Sequence, residues 1–211
     1  MSLTRLKLIG YVILVIPSLL VLCTIKVGGG KNWEKIRCDI LRYKIRFGVP
    51  EKGLLYSWYY LMCVKPEFRA VYYMRVKYVS IFIKFFLPPM PLCLIPTPSS
   101  RIGAGLLIEH GNSTILQAES IGENLWVNQN VTVGFGRGGQ PVIGNNVRIG
   151  TGAVVLGGIT IGDNVNIGAN AIVVDDVPSD CTVCSPKATI KKFNSPDCIT
   201  PNKDISNRAY L

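Results

Sequence analysis

The chain has 211 residues, 48% of them apolar and 21 of them glycine, with 23 Lys and Arg against 13 Asp and Glu for a net charge of +10. Such a composition excludes a disordered chain and fits one domain with an appendage, or two small domains. The charge is uneven, because residues 1–101 carry 16 basic and 4 acidic side chains (+12) whereas residues 102–211 carry 7 and 9 (−2), which excludes a uniformly basic nucleic-acid binder.

The basic half is also the apolar and aromatic half, a combination suited to a membrane surface. Residues 8–25 form an uncharged run of 18. As a helix it would be about 27 Å long, close to the thickness of a bilayer core. Basic residues stand on both sides of it, so no orientation follows, and Pro17 kinks any helix at mid-run. The stretch after it lacks a small-residue cleavage site. Membrane contact is therefore expected for residues 1–30.

Asn32 is a candidate helix N-cap. Trp33, Ile36, Ile40, Tyr43 and Phe47 follow with a helical period, and Gly48 and Pro50 end the segment. A second helix is expected over residues 54–63. A third opens at Pro66 and runs to about Phe86, mixing Arg69, Arg75, Lys77 and Lys84 with aromatic residues. Such a stripe fits a membrane interface or a solvated face equally well. Residues 31–94 thus read as a basic, aromatic α-helical region.

From Ile102 a six-residue repeat takes over. Aliphatics recur at Ile143, Ile149, Val155, Ile161, Ile167 and Val173, with glycine following at four of these, and the same phase appears at Ile102, Ile108, Ile121, Val127 and Val133. One extra residue lies between Ile108 and Ile121, and four lie between Val133 and Ile143. A period of six fits a short strand and a tight turn, with three such faces closing an 18-residue coil. Removing the insertions leaves four coils. The expected fold is mainly β: a left-handed parallel β-helix over residues 95–192, preceded by the helical, partly membrane-associated region and followed by an aperiodic tail, residues 193–211.

Counting one coil at a time, with the insertions added, stacks His110, Gln129, Thr151, Ala169 and Lys187 in one column. Strands spaced about 4.8 Å apart make it about 19 Å long. Ile108 and Asn112 are expected to fill the interior beside it, and the insertion in residues 134–142 is expected to emerge next to it. His110 is the chain's one histidine. An imidazole with a pKa near about 6.5 can take a proton at neutral pH, and a column of small residues ending in lysines suits a long, thin, anionic ligand. The seven cysteines are odd in number and irregularly spaced, which fits reduced thiols. Cys181 and Cys184 alone are a poor metal signal, and no metal is expected.

The stretches Ile102-Gly103-Ala104-Gly105, Ile108-Glu109-His110-Gly111, Gln129-Asn130-Val131-Thr132-Val133-Gly134 and Pro141-Val142-Ile143-Gly144 resemble the hexapeptide-repeat left-handed β-helix acyltransferases. The likeness is greatest to the serine acetyltransferase branch and its relatives that O-acetylate capsular polysaccharides. The resemblance implies acetyl-CoA as donor and a homotrimer with sites between neighbouring prisms. It makes His110 the general base with Glu109 beside it. Gln129 and Gln140 fall on the acceptor side, and Thr151, Gly157, Gly158, Ala169, Lys191 and Lys192 on the acetyl-CoA side. Serine acetyltransferases carry an aspartate ahead of the first coil and an Arg-His pair in the inserted loop. This chain has Ile95-Pro96-Thr97 and Gly139-Gln140 there, so a sugar hydroxyl is expected ahead of L-serine, at the inner face of the cytoplasmic membrane. The reading from another class is a non-catalytic β-helix scaffold. A zinc-dependent carbonic-anhydrase version needs three histidines.

Overall fold

A computed structural model describes residues 31–76, 84 and 87–187. The apolar run at 8–25, Lys191, Lys192 and the tail lie outside the described residues. Among those described, no helix is long and apolar enough to cross a membrane.

Among the described residues three helices precede the strands: α1 (Lys31–Phe47), α2 (Leu54–Val64) and α3 (Pro66–Val76). Asn32 is inside α1 rather than capping it, because the helix already includes Lys31. Gly48 ends α1 with a left-handed φ of 60°, as glycine permits. The expected third helix is described as α3 only to Val76. The helices share a core built on Ile36, Ile40, Tyr43, Trp58, Leu61, Phe68 and Tyr72.

The rest is a parallel β-solenoid with three sheets. One stacks β1 (Cys93–Leu94), β3 (Thr114–Leu116), β6 (Thr132–Gly134), β9 (Val154–Leu156) and β12 (Ile172–Val173). The second stacks β4 (Ser120–Ile121), β7 (Val142–Ile143) and β10 (Thr160–Ile161). The third stacks β2 (Leu107–Ile108), β5 (Trp126–Val127), β8 (Arg148–Ile149), β11 (Asn166–Ile167) and β13 (Thr182–Val183). The aliphatics of the six-residue repeat fill the interior, from Ile102 to Val177. At one corner Asn124, Asn146, Asn164 and Asp180 all take left-handed φ of 56–62° and bond side chain to side chain at 2.8–3.1 Å. Short polar side chains tolerate that backbone and ladder along the corner.

The last coil is shorter than the others. Ile167 pairs with Val183 and Ile161 with Val177, 16 residues on rather than 18. The expected column therefore ends at Ser185, not Lys187.

Of the basic residues expected on the third helix, Arg69 and Arg75 turn inward to backbone, Lys84 is exposed and Lys77 lies outside the described residues. Strand β2 is the outer strand of its sheet, so one side of the first coil presents unpaired N–H and C=O groups. One face of α1 satisfies them. The Tyr43 hydroxyl accepts from the Ile108 N–H and donates to the Ile108 carbonyl, both at 3.0 Å. Asp39 accepts the Leu106 N–H at 2.9 Å, and Lys35 donates to the carbonyls of Ser99 and Ile102. Arg75 of α3 is fully buried, donating to Asp39 at 2.9 Å and to the carbonyls of Ile102 and Gly103. Burial pushes the Asp39 carboxyl above its ordinary range, against the pull of Arg75. Arg69 likewise donates to the carbonyls of Met62 and Pro88.

Candidate active site

His110 lies at the corner between β2 and β3, and the backbone ladder shows how that corner is built. The Asn128 N–H bonds the Ile149 carbonyl just as the Glu109 N–H bonds that of Val127, so Glu109 sits in the place of Asn128. Next, Asn130 donates to the carbonyl of Asn112, as Gly152 does to Gln129 and Asn170 to Thr151. Asn112, not His110, is therefore the first rung of the column, followed by Gln129, Thr151, Ala169 and Ser185. His110 and Gly111 are two added residues, a bulge thrown out at the column's head. The next corner is one residue short: Leu116 and Ile121 are five apart, where their partners Val133 and Ile143 enclose the insertion. The net single extra residue of the sequence is thus two gained and one lost.

The bulge adds the left-handed His110, whereas Ser113 takes the left-handed corner position that Asn130, Gly152 and Asn170 hold in the later coils. His110 has φ 59° and Ser113 φ 50°, both in the left-handed region that costs a non-glycine residue about 1–2 kcal/mol. Gly111 is buried, and a Cβ there would meet Ile108 Cγ2 at 2.7 Å and Cys93 Sγ at 3.3 Å, so only glycine fits. Asn112 is exposed, contrary to the interior place expected for it, and Thr114 fills that place. The imidazole of His110 is exposed.

Glu109 faces the other way and is buried. Its carboxylate accepts from Arg46 Nη2 at 2.7 Å, Arg46 Nε at 3.1 Å and Trp126 Nε1 at 3.1 Å. The guanidiniums of Arg46 and Arg148 lie 5.1 and 4.2 Å from the centre of the Trp126 ring. None of this was visible from sequence spacing: Arg46 is 63 residues from Glu109.

Gln129, Thr151 and Ala169 lie in the column below the bulge. The inserted loop does not. It leaves β6 and enters β7, so it stands at the next corner of the prism, a sheet's width of roughly 15–20 Å away. Gln140 is therefore not beside His110 within one chain. Gly157 and Gly158 belong to the loop's corner as well. Their N–H groups donate to the carbonyls of Gly134 and Arg137 at 3.3 and 2.9 Å, and a Cβ on either would strike the loop backbone. Their smallness serves the loop. Among the described residues no group of three or more His, Cys, Asp or Glu is placed to hold a metal ion.

Residues 140–175 match the family model described as bacterial transferase hexapeptide (six repeats). That stretch of the solenoid carries transferase hexapeptide repeats. Among curated proteins, the serine acetyltransferase of Synechococcus elongatus is 46% identical over 92 residues, 41% of this chain and 37% of the relative. That of Helicobacter pylori is 42% identical over 101 residues, 45% of this chain and 59% of the relative. The chain thus spans 37% and 59% of the length of these two relatives. Among solved structures, serine acetyltransferase isoform 3 of Entamoeba histolytica in complex with cysteine is 25% identical with a TM-score of 0.53, over 77% of this chain and 62% of that one. The serine acetyltransferase of Neisseria gonorrhoeae, 24% identical with a TM-score of 0.60 over 90% and 75% of the two chains, shares the fold. The hexapeptide domain therefore resembles that of serine acetyltransferases beyond the repeat itself.

Proposed function

We propose that the chain is an O-acetyltransferase of the serine acetyltransferase-like type, with acetyl-CoA as donor substrate and His110 as general base. The observation that carries this is the His110–Gly111 bulge, which projects the one imidazole from the head of a column of small residues on a transferase hexapeptide coil. His110 removes the proton from the acceptor hydroxyl, and the oxygen attacks the thioester carbonyl carbon, releasing CoA as the thiol. Thr151 and Ala169 leave room along the column for the pantetheine arm. Glu109, tied to Arg46, holds its place beside the base rather than handling protons.

Two features support assembly as a trimer. The outward row Leu94, Ile115, Thr132, Val154, Ile172 runs down one sheet in register, with Leu94 and Ile172 55% and 72% exposed. That apolar face lies between the His110 corner and the loop corner, so packing copies on it brings the loop of one copy, with Gln140, toward the His110 of the next.

The names of the relatives favour L-serine as acceptor over a sugar. A neutral sugar hydroxyl stands second, on the observation that Glu109 is already neutralised by Arg46 and so offers no free carboxylate to an ammonium group. Thiol release from acetyl-CoA, measured with L-serine and with a panel of sugars, decides between them. His110→Ala should lower the rate by about 10²–10⁴-fold with the assembly intact, and retention of most activity removes the base from His110. If no acceptor releases CoA, the scaffold reading replaces the enzyme. The apolar run at 8–25 supports a place at the inner face of the cytoplasmic membrane, tested by fractionating cells that express the chain with and without residues 1–30.

A further inference from the structure

The residues just before the bulge are held by groups outside the solenoid, and Gly111 within it is held by the edge strand β1. Tyr43 fixes the backbone of Ile108 from both sides. One turn further along α1, Arg46 grips Glu109 through two nitrogens. On the far side, Cys93 of β1 packs on Gly111. The bulge thus springs from a residue whose charge is balanced by a helix more than sixty positions earlier in the chain.

We propose that Arg46 is a positioning residue for the candidate site, acting through Glu109 on His110 and so making the helical region part of the acetyl-transfer apparatus. The inference rests on His110 being the base. The bidentate grip does two things. It holds Glu109 against Trp126 and so sets the take-off of the bulge, and it neutralises a buried carboxylate one residue from the imidazole. The other ionisable groups near this corner are Tyr43 of α1, Glu67 of α3 and Cys93 of β1, which interact with one another, and Arg148 of β8 across Trp126. Among the described residues only Arg46 meets Glu109 as an ion pair.

The chain has a single histidine, so its imidazole proton signals in NMR need no assignment, and their titration reads the site without any acceptor. In Arg46→Gln the carboxylate loses its counter-charge and favours the imidazolium, so the His110 midpoint should rise by about half a unit or more. Glu109→Gln should lower it, and the double variant should return toward the parent. Arg148→Gln removes a like charge from the same ring without touching Glu109 and should shift the midpoint less than Arg46→Gln. With the acceptor found active, Arg46→Gln should cut kcat about tenfold with little change in KM, moving the acid limb of the pH profile with the NMR midpoint. Arg46→Lys, which keeps the charge, should restore the midpoint but only part of kcat. A folded Arg46→Gln protein with an unmoved midpoint overturns the proposal, as do shifts of the same sign in Arg46→Gln and Glu109→Gln. If Arg46→Gln does not fold, the Glu109→Gln and Arg46→Lys titrations decide in its place: an unmoved midpoint in Glu109→Gln overturns the proposal. A parent protein that transfers no acetyl group refutes the function above whatever the titration shows. An active parent with unmoved titrations refutes only the role of Arg46.

Discussion

Replacing Tyr43 with Phe isolates the clasp between helix and solenoid. Tyr43 is fully buried, and its ring packs edge-on to Phe68 with centroids 5.2 Å apart. The substitution keeps that packing and removes one oxygen. That oxygen serves both the N–H and the C=O of Ile108, each at 3.0 Å. Leaving a buried donor or acceptor unmet costs about 1–3 kcal/mol, so two together give about 2–4 kcal/mol after local relaxation. For a chain of this size each kcal/mol moves the melting midpoint by about 2–4 °C, so Tyr43→Phe should melt roughly 4–16 °C lower. Amide exchange is the sharper assay: the Ile108 N–H should exchange about 10²-fold faster in the variant, while those of Val155 and Ile167 change little. A loss under about 0.5 kcal/mol with the Ile108 amide still protected would refute the claim that the helix, rather than water, completes this edge.

Other consequences can be checked with simpler measurements. Asp39→Asn leaves Arg75 buried without a counter-charge and should cost about 3–5 kcal/mol, read in urea unfolding; a loss near zero would mean that the carbonyls of Ser99, Ile102 and Gly103 alone satisfy Arg75. Gly158→Ala drives a Cβ into the carbonyl of Gly138 and should displace the inserted loop at a cost of about 1–3 kcal/mol, raising KM for the acceptor more than it lowers kcat. Burial, with Glu67 adding to it, pushes the Cys93 thiol up to about 11 from an ordinary 9.0. The raised value means that the neutral thiol contributes stability present in full below about pH 9 and lost as pH climbs toward 11, on the order of 2 kcal/mol. Cys93→Ala should flatten that alkaline decline, and in the parent protein Cys93 should alkylate far more slowly than the exposed Cys184.

The solenoid was legible because each inward aliphatic is one count of six from the next, and an error in phase would turn the interior outward. Its irregularities were less so. Counting inward residues returns only the net change between Ile108 and Ile121, so two residues gained at His110–Gly111 and one lost after Leu116 look like one. The short last coil was hidden because Val173 and Val177 both suit an interior place. The deeper gap concerns the helices. Lys35 and Asp39 of α1 and Arg75 of α3 are polar side chains of the kind that usually meets water. Here they meet backbone, and no pattern of side chains announces that a strand edge elsewhere needs donors and acceptors. The same blindness covers Glu109: adjacency to His110 suggested a shared proton-handling role, whereas Glu109 is turned inward to Arg46 and Trp126 and the bulge turns His110 out.

A parallel solenoid is by construction a template for its own extension, since each coil offers the next the same hydrogen-bonding rim, and fibrils grow by this rule. The helix clasp removes that invitation at the first coil: Tyr43, Asp39, Lys35 and Arg75 occupy the acceptor and donor positions an incoming strand would need. They address the backbone and not the side chains of the first coil, so they would block a strand of any sequence. The helical region is thus a stopper as well as a support. Severing it from the prism should yield a protein that joins end to end into filaments rather than one that merely melts sooner.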